Sequence, residues 1–327
     1  MANEDQLPTL EAITSAYEEN YENSRKVVKV SLVSTVPKIR KLIAEYLITY
    51  RDQDGIIKDE SLIGKRYSDQ EKGVATFKFW EYLWKSGFAD DPHYTIVRPI
   101  AYFQQWQMLI MSKAPGKTID DWLYEQNMDS KQLAFRIAGW LTRMHSILLT
   151  EVPERKQTRA NADIERFYKE MAEVIPSEKQ RLQSLFADFI QESQKLGTET
   201  KVLLHGDFHT KNVFMDEQKV TGIDFDHHFA GDPAWDVAYL TCQFQVSSFF
   251  KKGDFDYFQP LIQYFIDTYL NAHPSYNRQS FLNRISLYSA RSLFESLHYE
   301  LCVLKTGKYS IVTPFLSKCE QYLKGKS

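Results

Sequence analysis

The chain has 327 residues, about twice a typical single domain, which favours two lobes or one large domain. An apolar fraction of 43% and a charged fraction of 25% match ordinary soluble globular chains and exclude collagen-like and generally disordered classes. Lys and Arg total 40 against 43 Asp and Glu, so a net charge of −3 offers no global field for nucleic acid or acidic membranes, and neither partner is expected.

From Leu7 to Tyr21 the apolar residues Leu10, Ile13, Ala16 and Tyr17 recur at helical spacing. Segments 27–36, 41–50 and 56–67 are β-branched and aromatic, partly alternating, and separated by Pro37 and Asp54-Gly55, which predicts an antiparallel meander. Residues 74–88 read as a helix closed by Gly87, and 94–103 with 106–112 as a further hairpin. Helical periodicity then dominates: a helix capped at Asp129 or Ser130 and running to Leu149, with others over 162–175, 178–195, 256–272 and 278–304. The exception is 201–240, where short apolar pieces alternate with polar, Gly-punctuated turns. A β-rich front therefore gives way to an α-rich rear near Met111 to Gly116, and the expected lobes are 1–112 and 113–327. Cys242, Cys302 and Cys319 are widely spaced with no Cys-x-x-Cys pair, so a reducing cytoplasm is expected. The opening MANEDQLPTL lacks the basic start and apolar stretch expected of a signal peptide, and no apolar run approaches a membrane span.

The chemistry is concentrated in His205-Gly206-Asp207-x-x-x-x-Asn212, followed twelve residues later by Asp224 in an Ile-Asp-Phe context. A carboxylate that orients and deprotonates an attacking hydroxyl, and hard oxygen donors for Mg²⁺ on nucleotide phosphates, are what phosphoryl transfer needs. Asp207 suits the first task, and Asn212 and Asp224 the second. At residue frequencies of about one in twenty, five such positions at fixed spacing arise by chance on the order of once in ten thousand chains of this length.

These motifs resemble the aminoglycoside phosphotransferase and choline kinase-like family. His205-Gly206-Asp207-Phe208-His209-Thr210-Lys211-Asn212 is similar to its catalytic loop, and Ile223-Asp224-Phe225-Asp226 to its metal-binding strand end. Gly231-Asp232-Pro233-Ala234-Trp235-Asp236-Val237-Ala238 resembles the signature that follows. The resemblance implies an α+β, two-lobed, protein-kinase-like fold with a β-rich N-terminal lobe and a mainly α-helical C-terminal lobe. It implies ATP and Mg²⁺ as cofactors, a small hydroxylated metabolite as acceptor, catalytic Asp207 with His205 in the same loop, and Asp236 bracing that loop from a helix start.

In the front lobe Lys65 ends the plausible strand LIGKRY, and Glu81 lies sixteen residues on in the following helix. A strand lysine needs such a carboxylate to fix its ammonium against the α- and β-phosphates, with Glu71 and Lys58 as substitutes in the pair. By fold analogy the adenine runs beside Leu109 to Ser112, which makes Met111 and Ser112 nucleotide-binding candidates. No Gly-x-Gly pair or Walker phosphate loop is present, so the first meander turn, Ser34 to Lys38, is expected to cover the phosphates with Ser34, Thr35 and backbone N–H groups.

Two rival readings also fit the sequence. One is a pseudokinase-like binding module that keeps the fold without useful turnover. The other is a dinuclear metal phosphoesterase built from His205, Asp207, His209, Asp224, Asp226, His227 and His228. On 278–304, Arg284, Arg291 and His298 repeat every seven residues, with Tyr288 and Glu295 beside them. Such a stripe either faces solvent, is salt-bridged, or meets the acceptor; in the last case it disfavours a polycationic aminoglycoside against a sugar or amino alcohol.

Overall fold

Period-two alternation becomes sheet in the computed structural model, which describes residues 7–38, 41–125, 129–149, 157–196 and 200–324. The chain forms an α+β arrangement of two compact units. The first comprises Met1–Lys117 and Phe214–Asp226, the second Thr118–Val213 and His227–Ser327.

The first unit opens with α1 (Leu10–Asn20), where the Thr9 side chain accepts the Ala12 N–H and so caps an otherwise unpaired donor. Strands β1 (Lys26–Lys38), β2 (Lys41–Arg51), β3 (Ile57–Arg66), β4 (Tyr94–Ile96), β5 (Pro99–Phe103) and β6 (Met108–Ser112) follow, interrupted by α2 (Gln70–Leu83). All but β4 join one antiparallel sheet in the order β1-β2-β3-β6-β5. Alternation on β2 buries Leu42, Ala44, Tyr46, Ile48 and Tyr50 in one cluster with Ile13 and Tyr17 of α1. Burying a side chain such as Ile13 contributes about 1.5–3 kcal/mol.

Two expectations are corrected here. Ser34 to Lys38 is not a turn: β1 runs through it, with Ser34 opposite Glu45 and Thr35 opposite Ala44, and residues 39–40 lie outside the described residues. Pro37 does not break the strand because β1 is the sheet edge, where a missing N–H leaves no neighbouring strand unpaired. The helix expected at 74–88 begins earlier, at Gln70, with the Asp69 side chain accepting the Lys72 N–H. Gly73 sits inside it because a Cβ there would lie 2.3 Å from the Tyr102 hydroxyl. A single π turn, Trp84–Phe88, follows α2 and holds Gly87 at a φ of +117°.

Short strands complete the chain: β7 (Lys117–Thr118), β8 (Val202–Leu204), β9 (Val213–Met215), β10 (Val220–Gly222) and β11 (Phe229–Gly231). A small sheet runs β4-β10-β9-β7, with β10 parallel to β4, which is why residues 214–226 return to the first unit. Phe225, wholly buried, ends that segment edge-on to Trp80 of α2 at 5.5 Å.

The second unit holds the antiparallel pair β8 and β11 and the helices α3 (Ile119–Trp122), α4 (Ser130–His145), α5 (Gln157–Val174), α6 (Lys179–Gln194), α7 (Ala234–Lys252), α8 (Gln259–Ala272), α9 (Arg278–His298) and α10 (Val312–Leu323). Asp129 caps α4 by accepting the N–H groups of Lys131 and Gln132, and that helix stops at His145 rather than Leu149. Phe167, Met171, Leu182, Phe189, Leu293, Leu297 and Phe315 share one buried cluster. Among the described residues no helix is long and apolar enough to cross a membrane.

Candidate functional site

Two constellations carry the candidate residues, one in each unit. In the first unit Lys65, near the end of β3, pairs across the sheet with Ile43 and Leu109. Its ammonium lies 2.7 Å from Asp224 Oδ1 and 2.7 Å from Asp226 Oδ2. Burial divides these two acids. The Asp226 side chain is 1% exposed and the Asp224 side chain 32%, so only Asp224 can meet an ion from solvent. The Tyr67 hydroxyl donates to Asp226 Oδ1 at 2.8 Å, and burial, followed by the Asp226 charge, pushes its pKa far up, so it stays a donor. Asp224 has a φ of +62°, a left-handed conformation that Asp tolerates better than most residues.

The structure brings Lys65 and Asp224 together and leaves Glu81 apart. The buried face of α2 carries Gly73, Thr76, Phe79, Trp80 and Leu83, and Glu81, about 100° further round from Trp80, turns outward. It is 3.7 Å from exposed Lys85, so the expectation that Glu81 braces Lys65 is not met. The suggested substitutes do not replace it: Lys58 pairs with Asp52 and Glu71 is exposed. Met111 lies opposite Ile63, and the Ser112 hydroxyl accepts the Arg98 N–H at 2.8 Å. By register, Ile43, Leu47 and Ile63 share the Lys65 face of the sheet and are half-buried, forming an apolar strip beside the ammonium.

In the second unit the loop 205–212 runs between β8 and β9. Asp236, in the first turn of α7 and fully buried, accepts the His205 N–H at 2.7 Å and the Gly206 N–H at 3.0 Å. His145 Nε2 is 3.2 Å from the same carboxylate, and its Nδ1 is 2.7 Å from the Tyr269 hydroxyl. A Tyr269 hydroxyl donating to Nδ1 sets the tautomer in which Nε2–H faces Asp236. Gly206 has a φ of +80° and lies so near the His227 carbonyl that a Cβ would fall 2.0 Å from it. Asn212 Nδ2 donates to the Asp207 carbonyl at 3.0 Å and is 3.5 Å from Asp207 Oδ2, which fixes Asp207 and Asn212 relative to each other. The Asp207 carboxylate is one quarter exposed, with His209 Nε2 3.7 Å away. His205 is fully buried, its ring beside the stacked pair of Trp140 and Phe208 and its Nδ1 accepting the Asp207 N–H at 3.4 Å.

Three contributors went unread in the sequence: Asp226 as partner of Lys65, Tyr67 and His145. The signals were short ones. Asp226 follows Asp224 by two positions just beyond β10, and Tyr67 follows Lys65 by two just beyond β3.

Other candidates change meaning. Arg284 and Arg291 are each 3% exposed and His298 4%, so the stripe on α9 does not face solvent. Arg284 pairs with Asp232 at 3.0 Å, Arg291 with Glu295 at 2.8 Å and His298 with Glu170 at 2.6 Å, which removes the stripe as a guide to acceptor charge. Among the described residues, no group of three or more His, Cys, Asp or Glu is placed to share a metal ion, so nothing favours the two-metal reading.

Comparison with known proteins gives a consistent picture. A phosphotransferase enzyme family, known as APH, matches residues 49–276, more than half of the chain. Solved structures align along almost the whole length at low identity. Aminoglycoside phosphotransferase APH(2'')-Ib with ADP bound is 14% identical, covers 94% of this chain and 97% of its own, and has a TM-score of 0.53. An ethanolamine kinase of Plasmodium vivax is 14% identical with coverages of 98% and 90% and a TM-score of 0.54. The macrolide 2'-phosphotransferase MphH of Brachybacterium faecium is 12% identical with coverages of 93% and 97% and a TM-score of 0.53. These likenesses establish a kinase-like fold. No curated protein matches the chain by sequence.

Proposed function

We propose, from the premise that this chain belongs to the phosphotransferase enzyme family, that it transfers the γ-phosphoryl group of ATP to a hydroxyl of a small metabolite. The observation that carries the reading is the Asp207–Asn212 pair on a loop whose backbone is pinned by buried Asp236. Asp207 orients the acceptor hydroxyl and takes its proton as the oxygen bonds to phosphorus and the bond to the ADP oxygen breaks. Lys65 meets the α- and β-phosphates, and the strip of Ile43, Leu47 and Ile63, with Met111 and Ser112 beyond, takes the adenine. His205 serves the loop as a buried hydrogen-bonding brace rather than as a proton carrier. ADP and ATP in complexes of structurally similar proteins support nucleotide use, and an ATP-consuming reaction suits the cytoplasm.

The residues fit Mg²⁺. Asp224, whose carboxylate is about one third exposed, and Asn212, whose amide nitrogen is held by Asp207, each offer a hard oxygen donor. Asp224 in the first unit and Asn212 in the second are each candidates to hold the ion, which would neutralise charge on the phosphates.

The test is coupled ADP release across a panel of sugars, amino alcohols and aminoglycosides, with Asp224→Ala alongside. Acceptor-dependent release from the parent, and loss of Mg²⁺-dependent nucleotide binding in Asp224→Ala, are expected. A parent that binds ATP yet releases no ADP with any hydroxylated acceptor would contradict turnover and favour a binding module.

A further inference from the structure

We propose that Asp226 and Tyr67, rather than a helix glutamate, are the positioning residues for Lys65; the consequence for ATP rests on the phosphotransferase reading above. A flexible lysine places its charge usefully only if a partner limits its rotamers. Here the partner comes from the segment after β10. Asp226 Oδ2 lies 2.7 Å from the Lys65 ammonium, and its other oxygen accepts the Tyr67 hydroxyl at 2.8 Å, so both carboxylate oxygens are engaged. Lys65 is also 5.2 Å from the centroid of the Tyr67 ring, on whose face a cation is attracted.

Burial makes this pair permanent and the other exchangeable. With side chains 7% and 1% exposed, Lys65 and Asp226 are both withdrawn from solvent, so water cannot readily replace either partner of this contact. Asp224, at 32%, is the acid that a cation from solvent can reach, so an arriving Mg-nucleotide can take Asp224 from Lys65 while Asp226 keeps the ammonium in place. The helix offers no rival. Its inward residue near this cluster is Thr76, which hydrogen-bonds Tyr67, while Glu81 faces solvent beside Lys85. Asp226 thus holds the lysine and Asp224 is left for the metal, a division of labour between two acids two residues apart.

The experiment compares the full-length parent with Asp226→Asn, Tyr67→Phe and Glu81→Gln. One readout is acylation of Lys65 by an amine-reactive reagent, mapped by mass spectrometry against exposed lysines; the other is KM for ATP and for the acceptor. Asp226→Asn is expected to raise Lys65 acylation several-fold and KM for ATP by about tenfold or more, as befits loss of a charged hydrogen bond, with the acceptor KM unchanged. Tyr67→Phe should move both in the same direction by less, and it serves as the folded control if Asp226→Asn melts early. Glu81→Gln should match the parent. In a Lys65→Met background, Asp226→Asn should add nothing further to the loss in KM for ATP. Equal effects from Glu81→Gln, or parent-like values in both Asp226→Asn and Tyr67→Phe, would overturn the proposal. A parent without nucleotide binding whose Lys65 acylation still follows Asp226 would overturn the functional reading and uphold the pairing.

Discussion

Gly206 sits where no other residue fits. Its φ of +80° strains any L side chain, and a Cβ would collide with the His227 backbone, which cannot swing aside as a side-chain end could. Gly206→Ala should therefore lower stability by about 2 kcal/mol or more, read as a fall in the denaturant midpoint; a parent-like midpoint would mean the loop is looser than described. Asp236 poses the complementary case. Asp236→Ala leaves the His205 and Gly206 N–H groups and the His145 ring without their acceptor, and should cost at least about 2 kcal/mol. Unchanged stability in that variant would show that the loop holds itself. At this scale the five-residue spacing of Asp207 and Asn212 was legible as a pair, and Asn212 does donate to the Asp207 carbonyl. Glu81 misled, because the distance along the chain from Lys65 says nothing of the face it occupies. Only the helical phase set by the buried residues around Trp80 decides that.

At the scale of elements, α6 and α10 are tied by Arg181, whose Nε lies 2.6 Å from Glu320 and whose Nη2 donates to Ser317 at 2.9 Å. The Arg181 guanidinium holds the Glu320 carboxyl below its ordinary pKa. A depressed folded value means the pair contributes fully above the unfolded carboxyl's value and fades as pH falls through the folded one. The melting temperature of the parent should therefore exceed that of Glu320→Gln at neutral pH, by an amount equivalent to at most about 1 kcal/mol for a partly exposed pair. The gap should close in acid; a gap that widened in acid would contradict this. Helices with one apolar stripe, such as α6, read at 178–195 and found at Lys179–Gln194, were legible almost to the residue. By contrast α7 was read only as a helix start at Asp236, because Ala234, Val237, Ala238, Leu240, Cys242, Phe244 and Gln245 bury it on most sides and leave no polar stripe to mark its period. In β1, Pro37 signalled a break that edge placement annuls.

For the whole molecule, the sequence shows a β-rich front and an α-rich rear, but not that the front unit is completed by residues 214–226. Parallel pairing of β10 with β4 depends on chain segments more than a hundred residues apart, which no local pattern reveals. A fragment ending at Lys117 would lack β10 and Phe225, leaving β4 unpaired and Trp80 without its edge-on partner. It should show no cooperative unfolding transition by circular dichroism, whereas a sharp transition at the temperature of the full chain would show that the first 117 residues need no completion. In the proposed reaction Asp207 orients the acceptor hydroxyl and takes its proton. The measurement that tests that role most directly sets Asp207→Asn against the parent in ATP binding and in acceptor-dependent ADP release. Nucleotide affinity should hold while turnover falls by at least about a hundredfold, the usual worth of a positioned acid–base group; equal turnover in the two proteins would contradict the assignment.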